Sequence, residues 1–336
     1  MVKSRKINVG ITIGDPNGIG IEIILKSLSN FSLFHECNFI IYASTGLIEK
    51  QKQHFQIDTP SLKKIDNEED LSDTQINVKE VFSNSQFNFG SSDKELSAFG
   101  IVSLKEATKD IKDNKIDILV TAPINKDLSY SKSFKYTGHT DFFKHYFNTN
   151  PLMLMISEEL KIALLTDHIP IKDLSDALNK DLVKQKIKLL ETCLLNDFKI
   201  KKPKIAVLAI NPHAGDNGLI GNEDQSIITP AINSFKGTAS SINGPFSADT
   251  FFVNENYKKY DGVIASYHDQ GLIPFKTISF GKGVNFTAGL PVVRTSPDHG
   301  TGFDIAGKGI ADHTSFTNAI KLGLQVFKLR NNLVWH

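Results

Sequence analysis

Two cysteines, Cys37 and Cys193, are all that this 336-residue chain carries, and they lie far apart in no metal-binding or redox spacing. That excludes a disulfide framework and predicts a reduced, cytoplasmic protein. Charge of one sign is also missing. Lys plus Arg number 38 and Asp plus Glu 37, for a formal net charge of +1. Neither nucleic acid nor an anionic membrane is therefore expected as a partner. No apolar run approaches the roughly 20 residues of a membrane span. The N-terminus, MVKSRKINVGITIGDP, breaks its short apolar stretch with Gly and Asp and reads as a first strand, not a signal peptide. No repeat at a solenoid period and no low-complexity linker is found.

What is present is globular: 40% hydrophobic and 22% charged residues over a length that suits two domains or one large two-lobed unit. Apolar, β-branched runs at 7–13, 38–43, 116–120, 161–165, 204–210 and 263–265 read as buried strands. Helical periodicity follows several of them. Ile21, Ile24, Leu25 and Leu28 share one face, as do Ile101, Leu104, Thr108 and Ile111, then Val183, Ile187, Leu190 and Leu194, and finally Ile320, Leu324 and Phe327. Strands alternating with helices predict a layered α/β protein with a largely parallel sheet. Residues 51–95 are polar, with small strands and surface loops expected.

The strand ends hold the chemistry, because open α/β sheets bind ligands beyond the carboxyl ends of their strands. The first strand runs into Gly14-Asp15-Pro16-Asn17-Gly18-Ile19-Gly20. These glycines fit neither G-x-G-x-x-G nor a P-loop. The turn serves either backbone geometry alone or a cleft in which Asp15 and Glu22 take part. The strand at 116–120 ends in Thr121-Ala122-Pro123-Ile124-Asn125-Lys126, where Lys126 is a ligand contact or a surface lysine. In Gly138-His139-Thr140-Asp141, Thr140 or Asp141 is the expected helix cap. His139 there is either a cap neighbour or a substrate hydrogen-bond donor.

Three strands each end in a histidine: His168, His213 and His268. The intervals of 45 and 55 residues leave room for a crossover helix and a return to the same edge. Singly, each reads as a hydrogen-bonded strand-end residue. Together, three imidazoles with an open fourth position describe a catalytic zinc-type site, with nitrogen donors that suit zinc, cobalt or nickel. Asp167 and Asp269 stand beside two of them as candidate orienting partners. Lys276, Asn285 and Arg294 follow, and suggest a small anionic substrate beside the metal, with a structural ion pair as the other reading of Arg294. The tail 298–309, with His299, Gly300, Thr301 and Asp304, reads as a nucleotide loop or a plain helix-initiating loop.

These motifs, with TAPINK, GHTD, NPHAG, GPFSADT, YHDQGL, GVNFTAGLP, RTSPDHGT and AGKG, resemble in order those of the 4-hydroxythreonine-4-phosphate dehydrogenases of vitamin B6 biosynthesis. The tail HGTGFDIAGKGIAD also looks like the nucleotide loop of the isopropylmalate and isocitrate dehydrogenases, although Gly302-Phe303 replaces the Ala-Pro found there, and Asn17 stands where many family members carry Ala. The resemblance implies two α/β/α lobes of the isopropylmalate dehydrogenase-like type with an interlobe cleft. Lobe 1 is expected over 1–135 plus 295–336 and lobe 2, with the metal histidines and the dimer contacts, over 136–294. It implies a homodimer sharing one divalent metal (Zn, Mg or Co) per site through His168, His213 and His268, with His139, Thr140, Lys276, Asn285 and Arg294 on the substrate. NAD or NADP would be held around His299, Gly300, Thr301 and Asp304, and Asp249 and Asp269 are the candidates for proton handling or for orienting the metal ligands. The implied reaction is oxidation of 4-phosphohydroxy-L-threonine to a β-keto acid that decarboxylates. A dehydrogenase of a related phosphorylated four-carbon acid, such as threonate 4-phosphate, and a metal-dependent hydrolase are the alternatives.

Overall fold

The computed structural model describes residues 5–129 and 134–333. The described residues form twelve strands: β1 (Ile7–Thr12), β2 (Cys37–Ala43), β3 (Leu62–Ile65), β4 (Ile76–Glu80), β5 (Ile118–Thr121), β6 (Leu152–Ile156), β7 (Lys161–Leu164), β8 (Lys204–Leu208), β9 (Ser241–Phe246), β10 (Gly262–Ala265), β11 (Val284–Ala288) and β12 (Val293–Pro297). The longer helices are α1 (Gly20–Leu28), α2 (Thr45–Phe55), α3 (Lys94–Lys112), α4 (His139–Tyr146), α5 (Lys180–Asn196), α6 (His268–Ser279) and α7 (Thr314–Arg330). None of the helices among the described residues is long and apolar enough to cross a membrane.

The chain divides into two compact units, Met1–Phe147 with Leu290–Phe327, and Asn148–Gly289 with Lys328–His336. These limits differ from the lobe limits expected from the sequence. Residues 136–147 and 290–294, and with them His139, Thr140 and Arg294, fall in the first unit. The cause is packing: Phe142, Phe143 and Leu290 join Leu104, Leu119 and Phe134 in one buried cluster of that unit.

In the first unit the strand order is β3-β4-β2-β1-β5-β12, and every pairing is parallel. β1, β2 and β5 are buried along their whole length, the signature of a parallel sheet covered on both faces. Connections run from β1 to β2 on one side, while β5 lies on the other, so a topological switch point falls at the carboxyl end of β1. α3 is started by Asp93, whose carboxylate accepts from the Glu95 and Leu96 amides at 2.9 and 3.1 Å.

The second unit orders its strands β11-β6-β7-β10-β8-β9. β7, β10, β8 and β9 are parallel, but β6 is antiparallel to both β11 and β7. The reversal follows from a tight turn. Ser157 N donates to Leu160 O at 2.9 Å and Leu160 N to Ser157 Oγ at 3.1 Å, and so short a link joins antiparallel strands only. α5 turns Val183, Ile187, Leu190 and Leu194 inward, the face its periodicity predicts, behind an Asn179 cap. Val263, Ala265, Ala206, Leu208 and Ile162 form this unit's core with Phe251 and Phe275.

Candidate functional site

The glycine-rich turn leaves β1 at the switch point. Gly14 has φ +66°, and a Cβ there would lie 2.2 Å from Pro123 O, so only glycine fits this close approach to the end of β5. The turn is closed on itself. Asp15 N donates to Pro123 O at 2.9 Å, Gly18 N to Asp15 O at 3.1 Å, Asn17 N to Asp15 Oδ1 at 3.0 Å and Ile19 N to Thr301 O at 2.9 Å. Ser97 Oγ donates to Asp15 Oδ2 at 2.5 Å. Burial raises the Asp15 pKa against the pull of these bonds, which lower it. Asp15 and Glu22, read from sequence as possible cleft groups, are fully buried and hold loops instead. Glu22 Oε1 accepts from Ala311 N at 2.9 Å and from Lys26 Nζ at 2.7 Å. The backbone-geometry reading of the turn is the one this bonding favours.

The expected cofactor residues lie on the tail segment that these bonds secure. Thr301 turns its carbonyl onto the start of α1, and a Cβ on Gly18 would lie 2.6 Å from that oxygen. Gly307 O bonds His54 Nε2 at 2.9 Å, and Gly309 O accepts from Lys26 Nζ at 2.9 Å. Gly300 and Asp304 are exposed. His299 Nδ1 meets Gly300 O at 3.1 Å, while its Nε2 is buried with no hydrogen-bond partner.

Beside β5 the same unit gathers a second group. Arg294 on β12 lies in register with Leu119 and so shares a sheet face with Thr121. Its guanidinium donates from Nε and Nη2 to Thr121 Oγ1 at 3.2 and 2.5 Å and sits 5.3 Å from the centre of the Phe143 ring. It is 1% exposed, and burial lowers its pKa to about 9. His139 opens α4. Gly138 is the cap position, and the Asp141 carboxylate reaches back to Thr137 N at 3.0 Å, so neither Thr140 nor Asp141 caps the helix as the sequence suggested. The His139 ring is half-buried, but its Nε2 is fully enclosed and without a hydrogen-bond partner. Desolvation, then the positive charges of Arg294 and Lys126, hold its pKa well below the usual imidazole range, so the ring is neutral. Lys126 is exposed and its stem runs over Gly138, where an added Cβ would lie 3.5 Å from Lys126 Cε. Two cations and a neutral imidazole with an unsatisfied nitrogen make a place for an anion.

In the second unit β7, β10 and β8 are parallel neighbours, so the segments carrying His168, His268 and His213 leave from one edge. His168 and His268 come together, with ring centroids 5.5 Å apart on a cavity of about 220 Å³ that Asp167 and Asp269 also line. His268 Nδ1 lies 2.7 Å from Asp269 Oδ1, and with the proton on Nδ1 the Nε2 lone pair is left for a cation. These two rings fit part of a cation's donor set. His213 does not join them. Among the described residues no group of three His, Cys, Asp or Glu side chains is placed to hold one metal ion. His213 lies instead near Asp249, whose carboxyl is held below its ordinary pKa chiefly by Ser247 Oγ at 2.9 Å, with the His213 charge a smaller contribution. Asp249 and Asp269 both line a larger cavity of about 610 Å³ with Gln270, Ile273 and Tyr267. Lys276 is exposed in the last turn of α6, and Asn285 on β11 has a buried Oδ1 with no hydrogen-bond partner.

Several supporting residues carry no sequence signal. Asp224, buried, accepts from the Ile210 and Asn211 amides at 2.8 and 3.0 Å and thereby anchors the loop of His213. Gln270 accepts from Ser266 N and donates to Ala209 O, both at 2.7 Å, tying the ends of β10 and β8. A polar residue 11 positions past His213 gives no periodic or spacing cue, and only the fold brings it back.

Comparison with known proteins places the chain. The profile of the family described as Pyridoxal phosphate biosynthetic protein PdxA matches residues 35–323. A 4-hydroxythreonine-4-phosphate dehydrogenase of Sulfurihydrogenibium sp. is 41% identical over 96% of this chain and 99% of its own. A protein of Oceanobacillus iheyensis provisionally named D-threonate 4-phosphate dehydrogenase is 36% identical over 96% of this chain and 98% of its own. The crystal structure of 4-hydroxythreonine-4-phosphate dehydrogenase from Klebsiella pneumoniae superposes with a TM-score of 0.83 at 32% identity, covering 97% of this chain and 98% of that one. Isocitrate dehydrogenase from Methylococcus capsulatus, at 10% identity and a TM-score of 0.51 over 97% of this chain and 87% of that one, shares the fold.

Proposed function

The chain belongs to the PdxA family of pyridoxal phosphate biosynthetic proteins, and on that premise we propose that it oxidises 4-phosphohydroxy-L-threonine with NAD or NADP and a divalent metal. The product is a β-keto acid, which loses carbon dioxide to give 3-amino-2-oxopropyl phosphate. The observation that carries the reading is the enclosed Arg294–His139 pair beside β5, a cationic fork next to a neutral imidazole whose Nε2 lacks a partner. A buried guanidinium favours an oxyanion such as phosphate or carboxylate, because the anion replaces solvation that burial removed. Neutral His139 adds a directed hydrogen bond without a second buried charge. Thr140, Lys276 and Asn285 complete the substrate contacts, and the orphaned Asn285 Oδ1 is a group that a substrate donor would satisfy.

A divalent cation (Zn, Mg or Co) held by His168, His268 and His213 would polarise the secondary hydroxyl and lower its pKa, and the nicotinamide would take the hydride. The first two rings fit that donor role within one chain, and the third comes from a second copy in a homodimer. Asp269 orients His268 through its Nδ1 contact. Asp249, ionised at neutral pH, is the candidate to accept the hydroxyl proton. The tail around His299, Gly300, Thr301 and Asp304 would hold the nicotinamide cofactor, and the orphaned His299 Nε2 is a group that it would satisfy. Cys37 and Cys193 are buried and in no disulfide, which suits a cytoplasmic enzyme.

A second reading, a D-threonate 4-phosphate dehydrogenase, is favoured by the 36% identical relative of that name. The two substrates differ in carrying an amino or a hydroxyl group. Purified protein is incubated with NAD or NADP, a divalent metal and either substrate, and reduced nicotinamide is followed by absorbance. Formation with 4-phosphohydroxy-L-threonine is expected. Turnover of D-threonate 4-phosphate alone would select the second reading, and silence with both substrates would end both.

A further inference from the structure

Burial leaves Arg294 few ways to point, and two residues outside the expected substrate set hold it. Thr121, fully buried at the end of β5, accepts from both Nε and Nη2 through a single oxygen. Phe143, equally buried on α4, has its ring centre 5.3 Å from the guanidinium carbon. A hydroxyl holds one edge of the fork and a ring packs beside it, so both restrict the rotation of the head group. Neither partner carries charge. The positive charge is therefore oriented by this pair but not neutralised by it, in contrast to a carboxylate partner, which would compete with an anionic ligand. Thr121 shares a sheet face with Leu119, opposite Arg294 in register, so this contact is built into the β5–β12 pairing and needs no loop to close.

We propose that Thr121, supported by Phe143, is a positioning residue that aims the Arg294 guanidinium at the substrate's phosphate or carboxylate and so sets substrate affinity. This rests on the reading of Arg294 as a substrate contact. It predicts a split between binding and turnover. Thr121→Val keeps the volume and removes the acceptor that holds the Nε–Nη2 edge.

The test measures substrate Kd by calorimetry, KM and kcat by nicotinamide absorbance, and the ¹⁵N-arginine Nε–H signal of Arg294 by NMR, identified by its loss in Arg294→Lys. Thr121→Val is expected to raise Kd and KM about tenfold or more, to leave kcat at saturation within about twofold, and to speed hydrogen exchange at Nε. Thr121→Ser, which retains the hydroxyl, should restore all three. Should Thr121→Val not fold, Thr121→Ala against Thr121→Ser makes the same comparison. Wild-type Kd in Thr121→Val, with weakened binding in Arg294→Lys, overturns the positioning role and leaves the proposed function standing. A purely structural role would lower the melting temperature with Kd and Nε exchange unmoved, and also overturns it. Wild-type protein that binds neither proposed substrate refutes the functional reading and this inference with it.

Discussion

Replacing Arg294 with methionine separates stability from binding, because the two respond to a buried charge in opposite ways. The guanidinium is 1% exposed, and its pKa is lowered to about 9 by burial. That lies three or more units below the ordinary value, which corresponds to roughly 4–5 kcal/mol of disfavoured charge as an upper bound. Methionine of similar length removes this cost. It also removes the bonds to Thr121, worth about 1–3 kcal/mol together, and the contact with Phe143, worth about 1–2 kcal/mol. These terms nearly cancel, so Arg294→Met should unfold in urea within about 2 kcal/mol of the wild type, as buried ionic groups replaced by apolar ones generally do. Binding has no such offset. Losing two charge-assisted hydrogen bonds to the substrate anion, at about 1.5–3 kcal/mol each, predicts at least a 100-fold fall in kcat/KM, taking about 1.36 kcal/mol per decade. Urea midpoints and steady-state kinetics on the same preparations decide the matter. A loss of stability above about 3 kcal/mol with little change in kcat/KM would refute a binding role and make Arg294 a structural residue.

Three further outcomes are expected. His139 has a depressed pKa in the folded state, so the unfolded chain binds the extra proton first. Stability should therefore fall as pH drops below about 6.5, by up to about 1.4 kcal/mol per pH unit, until the folded pKa is reached. Urea midpoints between about pH 5 and 7 should show this slope in the wild type and a flatter one in His139→Gln. Asp224→Asn turns one acceptor into a donor facing a part-buried amide. It should cost about 2–3 kcal/mol and, by loosening the loop of His213, weaken metal retention measured by equilibrium dialysis. Ala214 sits at φ +53° in a run of left-handed residues from His213 to Asn217. Ala214→Gly should stabilise the protein by about 1 kcal/mol, raising the melting temperature with the same unfolding slope in urea; a lower one would show that the left-handed turn is absent.

Much of the architecture follows from local physics and is legible in the residues. β1, β2 and β5 are continuous apolar runs because both faces of a parallel sheet are covered. The inward face of α5 is the one its spacing predicts. The common edge for the three histidine segments follows from strand ends and crossover lengths. The reversal of β6 was harder to see, because it depends on a four-residue turn whose Ser157 bond carries the information and whose flanking runs are equally apolar in either direction.

What the sequence determined by itself, then, is the alternation of strands and helices and the residue types delivered to each strand end, since both are set within a few residues along the chain. Tertiary structure alone decided what those residues face. The glycine-rich turn opens beside an acid and a helix start, as a ligand loop would, yet Thr301, about 280 residues later, closes its Ile19 amide. Arg294 reads equally as an ion-pair partner or a ligand group until the β5–β12 register sets it on Thr121 and Phe143. His168 and His268 meet while His213 lies near Asp249, although all three follow equivalent strands. Hydrogen bonds and desolvation act over a few ångströms, so the roles they assign depend on distances that chain spacing does not contain.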